Sequence, residues 1–159
     1  MNPGLFVCYN GFGDSMERIE KQLKFILEID KEKQIKRKTL QSNGTDFEDD
    51  AQHAWHMAIM TLLLSEHANE EIDVLKTISM LLIHDLVEID AGDTYAYDSQ
   101  GLKTQSTREA MAANRIFNLL PEDQAKKMFD LWNEFEERKT PEAKFARVMD
   151  NFQPVMLNA

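Results

Sequence analysis

The stretch "LLIHDLVEIDAGDT", from Leu81 to Thr94, places ionisable side chains inside an apolar segment. The residues from Ile78 to Ile89 leave no polar face at the helical repeat, which predicts a helix buried on nearly all sides. His84, Asp85 and Glu88 lie within this run. Because an unpaired buried carboxylate takes up a proton or binds a cation, the segment indicates a buried cation site.

The composition bounds the class of fold. At 159 residues, 43% of them hydrophobic, the chain is long enough to bury one core, and we expect a single domain. Stretches rich in Ala, Leu, Met, Glu and Lys favour helices, and six Gly and four Pro provide little material for turns. Because strand-like alternation is nowhere sustained, we predict an all-α bundle of about six helices.

The charge of the chain argues against polyanionic partners. A formal net charge of −10 disfavours binding to nucleic acid polymers or to an anionic membrane. The single cysteine, Cys8, cannot form an internal disulfide, and the first residues lack the basic region of a signal peptide. No apolar run reaches the roughly 18 residues of a membrane span. We expect a cytoplasmic protein with no membrane partner.

Hydrophobic periodicity divides the chain into elements. We expect an irregular N-terminal arm over residues 1–14 and a helical domain over residues 15–159. The predicted helices span about residues 15–30, 45–67, 70–89, 106–119, 121–138 and 141–157. Pro121 and Pro141 fit the first turns of the last two helices.

Capping signals support several of these boundaries. Thr45 and Glu48 resemble a capping box at the start of the second helix. Gly92 suits the C-terminal cap of the third helix, and Thr140 suits the N-cap of the last. The polar stretch over residues 93–105 is the longest predicted loop.

Two further candidate ligands lie on other apolar helices. His53 is aligned with apolar residues of "DDAQHAWHMAIMTLLL", and Asp150 shares a helical side with alanines in "FARVMDNFQP". His84 and Glu88, one turn apart, lie on nearly the same face, so a metal bound by His84 and Asp85 would have Glu88 beside its water. We predict that two histidines and two aspartates converge from three helices.

In this pattern the sequence resembles the HD-domain metal-dependent phosphohydrolases. The resembling segments are "EDDAQHAWHMA", "LLIHDLVEIDAGD" and "FARVMDNFQP", and the resemblance covers roughly Ile19 to the end. It is closest to the group containing bacterial 5'-deoxynucleotidases and related small HD hydrolases. The resemblance implies an HD-domain helical bundle that acts on a small phosphorylated metabolite and forms a homodimer.

The resemblance also implies a role for each matching residue. The implied metal ligands are His53, His84, Asp85 and Asp150. Glu88 would orient or deprotonate the attacking water, and Asp93 would support the phosphate, the leaving oxygen or a basic partner. Mixed imidazole and carboxylate ligands suit Mn, Fe, Co, Ni or Zn better than Mg. We expect one divalent ion, because relatives with two need more histidines than remain in His56 and His67.

A basic cluster, Lys36 to Lys38, stands where relatives carry a basic substrate-binding residue followed by tryptophan, which is absent here. We expect Arg37 or Lys38 to contact the phosphate; the alternative is a solvated face. His56, one turn after His53, is a candidate for the substrate pocket or for packing. Glu109 follows the predicted loop, where relatives carry a glutamate. For Glu88 the alternative is an ion pair with an arginine, Arg115 or Arg147.

The expected activity is hydrolysis of a phosphomonoester, most plausibly a nucleoside or deoxynucleoside 5'-monophosphate. The alternatives are hydrolysis of a signalling nucleotide and a non-catalytic role in binding a nucleotide or a metal. Only nine residues follow Asp150, whereas relatives continue further, so we expect a domain truncated at its C-terminus or a short variant. Loss of a covering helix would expose apolar surface and favour dimerisation.

Overall fold

A computed structural model describes residues 7–92 and 102–159 of the chain, with side chains described over residues 15–92 and 103–159. The predicted all-α bundle is confirmed, with six long helices, one single-turn helix and a small hairpin in these ranges. The elements are α1 (Val7–Ile29), β1 (Lys36–Leu40), β2 (Phe47–Asp49), α2 (Asp50–Leu64), α3 (Val74–Ile83), α4 (Glu88–Ala91), α5 (Leu102–Phe117), α6 (Glu122–Glu137) and α7 (Pro141–Leu157). Single turns of 3-10 helix cover Asp30–Gln34, Ser65–His67 and His84–Val87.

The helix α3 lies at the centre of the bundle, in contact with α2, α6 and α7. Two apolar clusters flank its C-terminal end. One holds buried side chains of α1, α5, α6 and the 3-10 turn: Phe25, Leu86, Val87, Ile116, Phe117 and Trp132. The other holds buried side chains of α2, α3, α6 and α7: Met57, Met80, Leu81, Phe135, Ala146 and Met149. The turn that follows α3 contributes Leu86 and Val87 to the first cluster, and its His84 ring lies against Phe135 of the second, with 4.7 Å between the ring centroids.

The hairpin is the main departure from the predicted fold. Strands β1 and β2 pair antiparallel, with Lys36 opposite Asp49 and Leu40 opposite Phe47. Gly44 adopts a positive φ of 71° in the connection, and the Asn43 side-chain oxygen accepts hydrogen bonds from the backbone N–H groups of Thr45 and Asp46. The hairpin was not predicted, because three to five paired residues are too few for alternation to be recognised.

The hairpin also moves the start of α2. The predicted capping box of Thr45 and Glu48 was wrong, because the strand β2 occupies the residues just before the helix. Asp49 is the N-cap: its side chain accepts from the Gln52 backbone N–H, and the Gln52 side chain accepts from the Asp49 backbone N–H. The chain therefore passes from the hairpin directly into α2.

The predicted third helix is interrupted. Instead of one helix over about residues 70–89, α3 ends at Ile83, a 3-10 turn covers His84–Val87, and α4 follows. At this junction between the α-helical and the 3-10 repeat, the Nδ1 atom of His84 donates a hydrogen bond to the Leu81 carbonyl oxygen, 3.0 Å away. Gly92, with φ of 73°, caps α4 as predicted. A 3-10 turn inside a helical run is a feature of strained and functional segments.

The remaining boundaries agree with the predictions to within a few residues, except at the N-terminus. The helix α1 begins at Val7, so the expected irregular arm is helical from that residue onward. Helical glycines cost about 1 kcal/mol each, which is too little to end so long a helix. The predicted start of α7 at Pro141 is confirmed, with the Thr140 side chain accepting from the Ala143 backbone N–H. Residues 93–101 of the predicted loop lie outside the described residues.

An exposed apolar stripe runs along each of two neighbouring helices, α2 and α7. On α2 it consists of Trp55, Ile59, Leu62 and Leu63, and on α7 of Val148, Phe152, Val155 and Met156. Both sets follow the spacing i, i+4, i+7 and i+8, which places each on one helical face. None of the helices in the described part of the chain combines the length and apolar character that crossing a bilayer requires.

Candidate metal centre

Three predicted ligands meet at the centre of the bundle. His53 of α2, His84 of the 3-10 turn and Asp150 of α7 each place one ligand atom within 4.8 Å of the others. The Oδ1 atom of Asp150 lies 3.2 Å from Nε2 of His53 and 3.8 Å from Nε2 of His84. Both histidines are buried. The predicted convergence of three helical segments is therefore present in the fold.

The fourth predicted ligand, Asp85, adjoins this cluster. Its Oδ1 atom lies 3.0 Å from Nε2 of His84, and its Oδ2 atom accepts a hydrogen bond of 2.8 Å from Nη1 of Arg37. One carboxylate oxygen thus faces the His84 imidazole, while the other is held by the Arg37 guanidinium. This division leaves Oδ1 of Asp85 available as a ligand atom.

The hydrogen bonds of the imidazoles indicate which ring nitrogen carries the proton. The Nδ1 atom of His84 faces the Leu81 carbonyl oxygen, which can only accept, so in the neutral ring the proton resides on Nδ1 and Nε2 carries a lone pair. That Nε2 atom is buried, points at carboxylate oxygens and makes no hydrogen bond within the described ranges. A lone pair and carboxylate oxygens repel one another unless a proton or a metal ion lies between them. The donor set therefore fits a divalent ion.

The pKa values at the centre record the same attraction for positive charge. Burial lowers the pKa of His53, but hydrogen bonds to Asp150 and Glu48 outweigh it and raise that pKa to about 9. Burial likewise opposes charge on His84, yet Asp85 and Asp150 raise its pKa overall. Against the effect of burial, both histidines hold the pKa of Asp150 well below its ordinary value. A metal ion would occupy this site in competition with protons.

Arg37 closes one side of the centre. Besides Asp85, its Nη1 atom donates to Oδ1 of Asp50 at 3.3 Å, and its Nε atom lies 3.6 Å from Oε1 of Glu48. Burial opposes its charge, but the carboxylates of Asp85, Asp50, Glu88 and Asp150 raise the pKa of Arg37 overall, so it stays charged. Lys38, the next residue of β1, is exposed. Because side chains alternate along a strand, Arg37 lies at the centre and Lys38, the other predicted phosphate contact, does not.

A cavity of about 520 Å³ opens over the centre. Its lining includes His84, Asp85, Glu88, Asp150 and Arg37, together with Gln105, Glu109, Glu136, Arg138 and Arg147. The predicted water partner Glu88 and the candidate Glu109 therefore face the same space as the ligands. Asp93, predicted to act beside them, lies outside the described residues.

The two arginines considered as partners of Glu88 bind other carboxylates. Arg147 donates through Nη1 to Oδ2 of Asp150 at 2.9 Å, and its guanidinium lies over the Phe135 ring. Arg115 binds Asp90 and Glu28 on the surface. The alternative of an ion pair between Glu88 and one of these arginines is therefore not supported by the geometry.

His56 lies behind the centre rather than in the main cavity. It lines a separate cavity of about 320 Å³ with Trp55 and Gln52. Its Nδ1 atom lies 3.2 Å from Nε2 of Gln153, a fully buried amide that also contacts His53 and Glu48. The predicted direct contact between His56 and substrate is therefore not favoured by its position.

Several residues of the centre were missed by the sequence reasoning. Gln153 follows Asp150 by three residues and Asp50 precedes His53 by three, so helical spacing placed both on the ligand faces. Glu48 had been assigned to a cap, and its role depends on the unpredicted hairpin. Glu32, buried in the 3-10 turn after α1, carries no signal in its local sequence.

Glu32 provides a test of the negative charge at this centre. Burial, reinforced by the charges of Asp85 and Asp50, raises the pKa of Glu32 from 4.5 to about 8. A folded-state pKa above the unfolded value stabilises the protein below pH 4.5, and this contribution is lost as the pH rises towards 8. We therefore expect the unfolding free energy of metal-free wild type, measured in chelator, to fall between pH 5 and pH 8 relative to that of Glu32→Gln. The difference between the two proteins should change by on the order of 2 kcal/mol over this range.

Urea denaturation at both pH values measures this difference. Glu137→Gln, at an exposed position, is the matched control and should follow the wild-type pH dependence. Equal pH dependence in wild type and Glu32→Gln would show that the carboxyl is not embedded in a negative field.

Taken together, the fold and the site define a helical metal-binding domain, with histidine and aspartate ligands drawn from three segments of one bundle. The sequence model of the HD domain family matches residues 29–159. The chain belongs to the HD domain family.

Relatives of known name match parts of this domain. The 5'-deoxynucleotidase HDDC2 of Bos taurus is 31% identical over 105 residues, which cover 65% of this chain and 49% of that protein. The protein of the same name from Dictyostelium discoideum is 32% identical over 140 residues, covering 84% of this chain and 74% of its own length. The chain thus spans about half the length of the Bos taurus relative.

A crystal structure provides a third comparison. The "Predicted metal-dependent phosphohydrolase" from Magnetospirillum magnetotacticum MS-1 is 46% identical in sequence, with a TM-score of 0.84. The match covers 89% of this chain and 71% of that one. The arrangement of helices around the centre is therefore shared with a solved protein.

Proposed function

We propose that this chain hydrolyses the phosphomonoester of a nucleoside or deoxynucleoside 5'-monophosphate with the aid of one divalent metal ion. The observation that carries the proposal is the convergence of His53, His84, Asp85 and Asp150 beneath a cavity that also contains Glu88. The 5'-deoxynucleotidases among the relatives support the substrate class. Phosphomonoesters react so slowly with water that an arrangement of this kind is needed.

The four ligands suit a transition metal. Two imidazoles and two carboxylates favour Mn, Co, Ni, Fe or Zn, and Mg is a poorer match to the histidines. When bound, the ion would lower the pKa of a water molecule and neutralise charge on the phosphate. The carbonyl oxygen of Leu81 orients the His84 ring, so that its Nε2 atom faces the cluster throughout.

Two acidic side chains are assigned the proton transfers of the reaction. Glu88 begins α4, three residues after Asp85, and lines the cavity with the ligands. We therefore assign to Glu88 the role of general base, which accepts a proton from the attacking water. The leaving alcohol needs a proton in return, and we propose Asp93 for this step or for support of the phosphate.

Arg37 is the phosphate contact that the geometry favours. Its guanidinium is fixed by Asp85 and Asp50 at the edge of the cavity, whereas Lys38 is exposed on the neighbouring position of β1. A planar guanidinium can hold a carboxylate and a phosphate oxygen at once, which an ammonium cannot do in the same geometry.

Substitution of Arg37 tests this assignment. We expect Arg37→Lys to raise KM for a nucleoside monophosphate roughly tenfold, since charge is kept while the forked donor is lost. Lys38→Arg is the matched control, with steady-state constants close to wild type. Metal content is measured in parallel, because Arg37 also holds Asp85. An unchanged KM for Arg37→Lys would assign the phosphate contact elsewhere.

The activity itself is tested with protein stripped of metal and resupplied with Mn, Co, Ni or Zn. We expect phosphate release from nucleoside 5'-monophosphates in the presence of at least one of these ions and none in chelator. Guanosine tetraphosphate and cyclic nucleotides belong in the same panel. Turnover confined to those signalling nucleotides, or binding without any turnover, would contradict the proposal.

We further propose a homodimer formed through the exposed stripes of α2 and α7. Trp55 is 64% exposed and Leu63 is 68% exposed, and an apolar surface of this kind marks an interaction site. We expect light scattering to give twice the chain mass for wild type and the monomer mass for Leu63→Glu. Monomeric wild-type protein at micromolar concentration would rule the dimer out.

A further inference from the structure

A glutamine that no sequence signal identified lies directly behind the metal centre. Gln153 is fully buried on α7, one turn after Asp150. Its Oε1 atom lies 3.0 Å from Nδ1 of His53, on the side of the ring away from the cluster. Its Nε2 atom donates to Oε2 of Glu48 at 2.8 Å and lies 3.2 Å from Nδ1 of His56.

Glu48 fixes which way round this amide lies. A carboxylate can only accept, so it must face the amide NH₂ group, and the reverse orientation would bring two acceptor oxygens together in a buried space. Glu48 is itself buried, in the strand β2, and its other oxygen lies 3.6 Å from Nε of Arg37 and 3.4 Å from Nδ1 of His53, which is farther than the Gln153 oxygen. The second amide N–H points at Nδ1 of His56, which can accept it.

The orientation of the amide in turn fixes the tautomer of His53. With the carbonyl oxygen of Gln153 facing Nδ1, the proton of the neutral imidazole must reside on that nitrogen. The Nε2 atom then carries a lone pair directed at Asp150 and the cluster. Glu48, Gln153 and His53 thus form a carboxylate, amide and imidazole chain that ends on the metal side.

We propose that Gln153 is a positioning residue which, held by Glu48, sets the tautomer and ring orientation of His53 for metal binding. The inference rests on the proposed metal-dependent function, but it concerns affinity for the ion and not turnover. Outer contacts of this kind are worth about 10-fold to 100-fold in metal affinity.

A purely structural role would have the same contacts, since Gln153 also joins α7 to α2 and to the hairpin. The positioning role and the purely structural role predict different effects on metal affinity when the amide and the carboxylate are exchanged between positions 153 and 48. Gln153→Glu alone brings two carboxylates into contact and removes the amide donor. Combined with Glu48→Gln, it restores one amide and one carboxylate with an acceptor still facing Nδ1 of His53.

The experiment measures Mn and Zn dissociation constants by competition with a chromophoric chelator for wild type, Gln153→Met, Gln153→Glu and the double exchange. We expect at least a 10-fold loss of affinity in each single variant and recovery to within about threefold in the double exchange. Gln124→Met is the matched control, because Gln124 bonds to Gln22 between α1 and α6, away from the centre, and should bind metal as wild type does.

Nitrogen-15 NMR of the metal-free protein gives a second readout, which is tractable with only four histidines in the chain. Above the pKa of His53 we expect the Nδ1–H tautomer in wild type and in the double exchange, and a weaker preference for it in Gln153→Met, where only the longer contact with Glu48 remains. Circular dichroism verifies folding, and the double exchange keeps the test decisive if Gln153→Met does not fold.

Metal affinity of Gln153→Met within twofold of wild type would overturn the inference, as would an unchanged His53 tautomer. Failure of the proposed function looks different: wild type would bind the ion and hydrolyse no phosphomonoester, while the affinities of the variants still differed. Wild-type protein that binds none of these ions would overturn both.

Discussion

Asp85→Asn is expected to abolish activity, with at least a 10⁴-fold fall in kcat/KM and at least a 100-fold loss of metal affinity. The substitution keeps the size of the side chain and an oxygen to accept from Arg37, but it removes the negative charge beside Nε2 of His84. A neutral amide is a poor ligand for a transition metal that is otherwise held by imidazoles and carboxylates. The effect should be seen in metal content and in turnover alike.

Because Asp85 belongs to a group of close carboxylates, removal of its charge relieves repulsion in the metal-free protein, which should remain folded. Asp90→Asn is the matched control, five residues away on the exposed side of α4, where the carboxylate binds Arg115. It should leave metal affinity within twofold of wild type. Full activity of Asp85→Asn would contradict the assignment of this ligand.

Glu88→Gln is expected to separate chemistry from metal binding. We expect kcat to fall by about 10²-fold to 10⁴-fold, the usual contribution of a positioned general base, with metal affinity within about threefold of wild type. The isosteric amide fills the same buried space at the start of α4 but cannot take a proton from water. The pH profile of kcat should also lose its acidic limb.

Glu136→Gln provides the control for this variant, since Glu136 is an exposed glutamate that lines the same cavity. Steady-state kinetics with saturating metal should give near wild-type constants for it. Retention of wild-type kcat by Glu88→Gln would assign the proton transfer to another group.

The candidate ligands could be predicted from the sequence because each lies in a helical segment with a regular apolar pattern. Once His53, His84 and Asp150 are placed on buried faces, three packed helices bring them together with few alternatives. The start of α7 was equally predictable, because Thr140 as N-cap and Pro141 in the first turn act through local stereochemistry. Helix faces and helix caps depend only on residues that are near one another in sequence.

The missed features of the fold leave no signal in hydrophobic periodicity. The strand β1 is short and rich in charge, and it is stabilised by pairing with β2 and by the acceptors around Arg37 rather than by its own propensity. The break in the predicted third helix arises at His84, whose ring bonds to the Leu81 carbonyl. Neither effect is visible in periodicity.

Gln153 shows the same limit from within a correctly predicted helix. Its position on the ligand face of α7 follows from the helical repeat, but its function depends on Glu48, 105 residues away in the hairpin. A buried amide becomes informative only when both of its ends have identified partners.

The most direct test of the account is the position of the metal in crystals of protein loaded with Mn or Zn, located by anomalous diffraction. We expect one strong peak within about 2.0–2.2 Å of Nε2 of His53, Nε2 of His84 and one carboxylate oxygen of Asp150 and of Asp85. The absence of a peak among these four side chains in metal-loaded crystals, or a peak only at surface carboxylates, would contradict the metal centre and the function proposed from it.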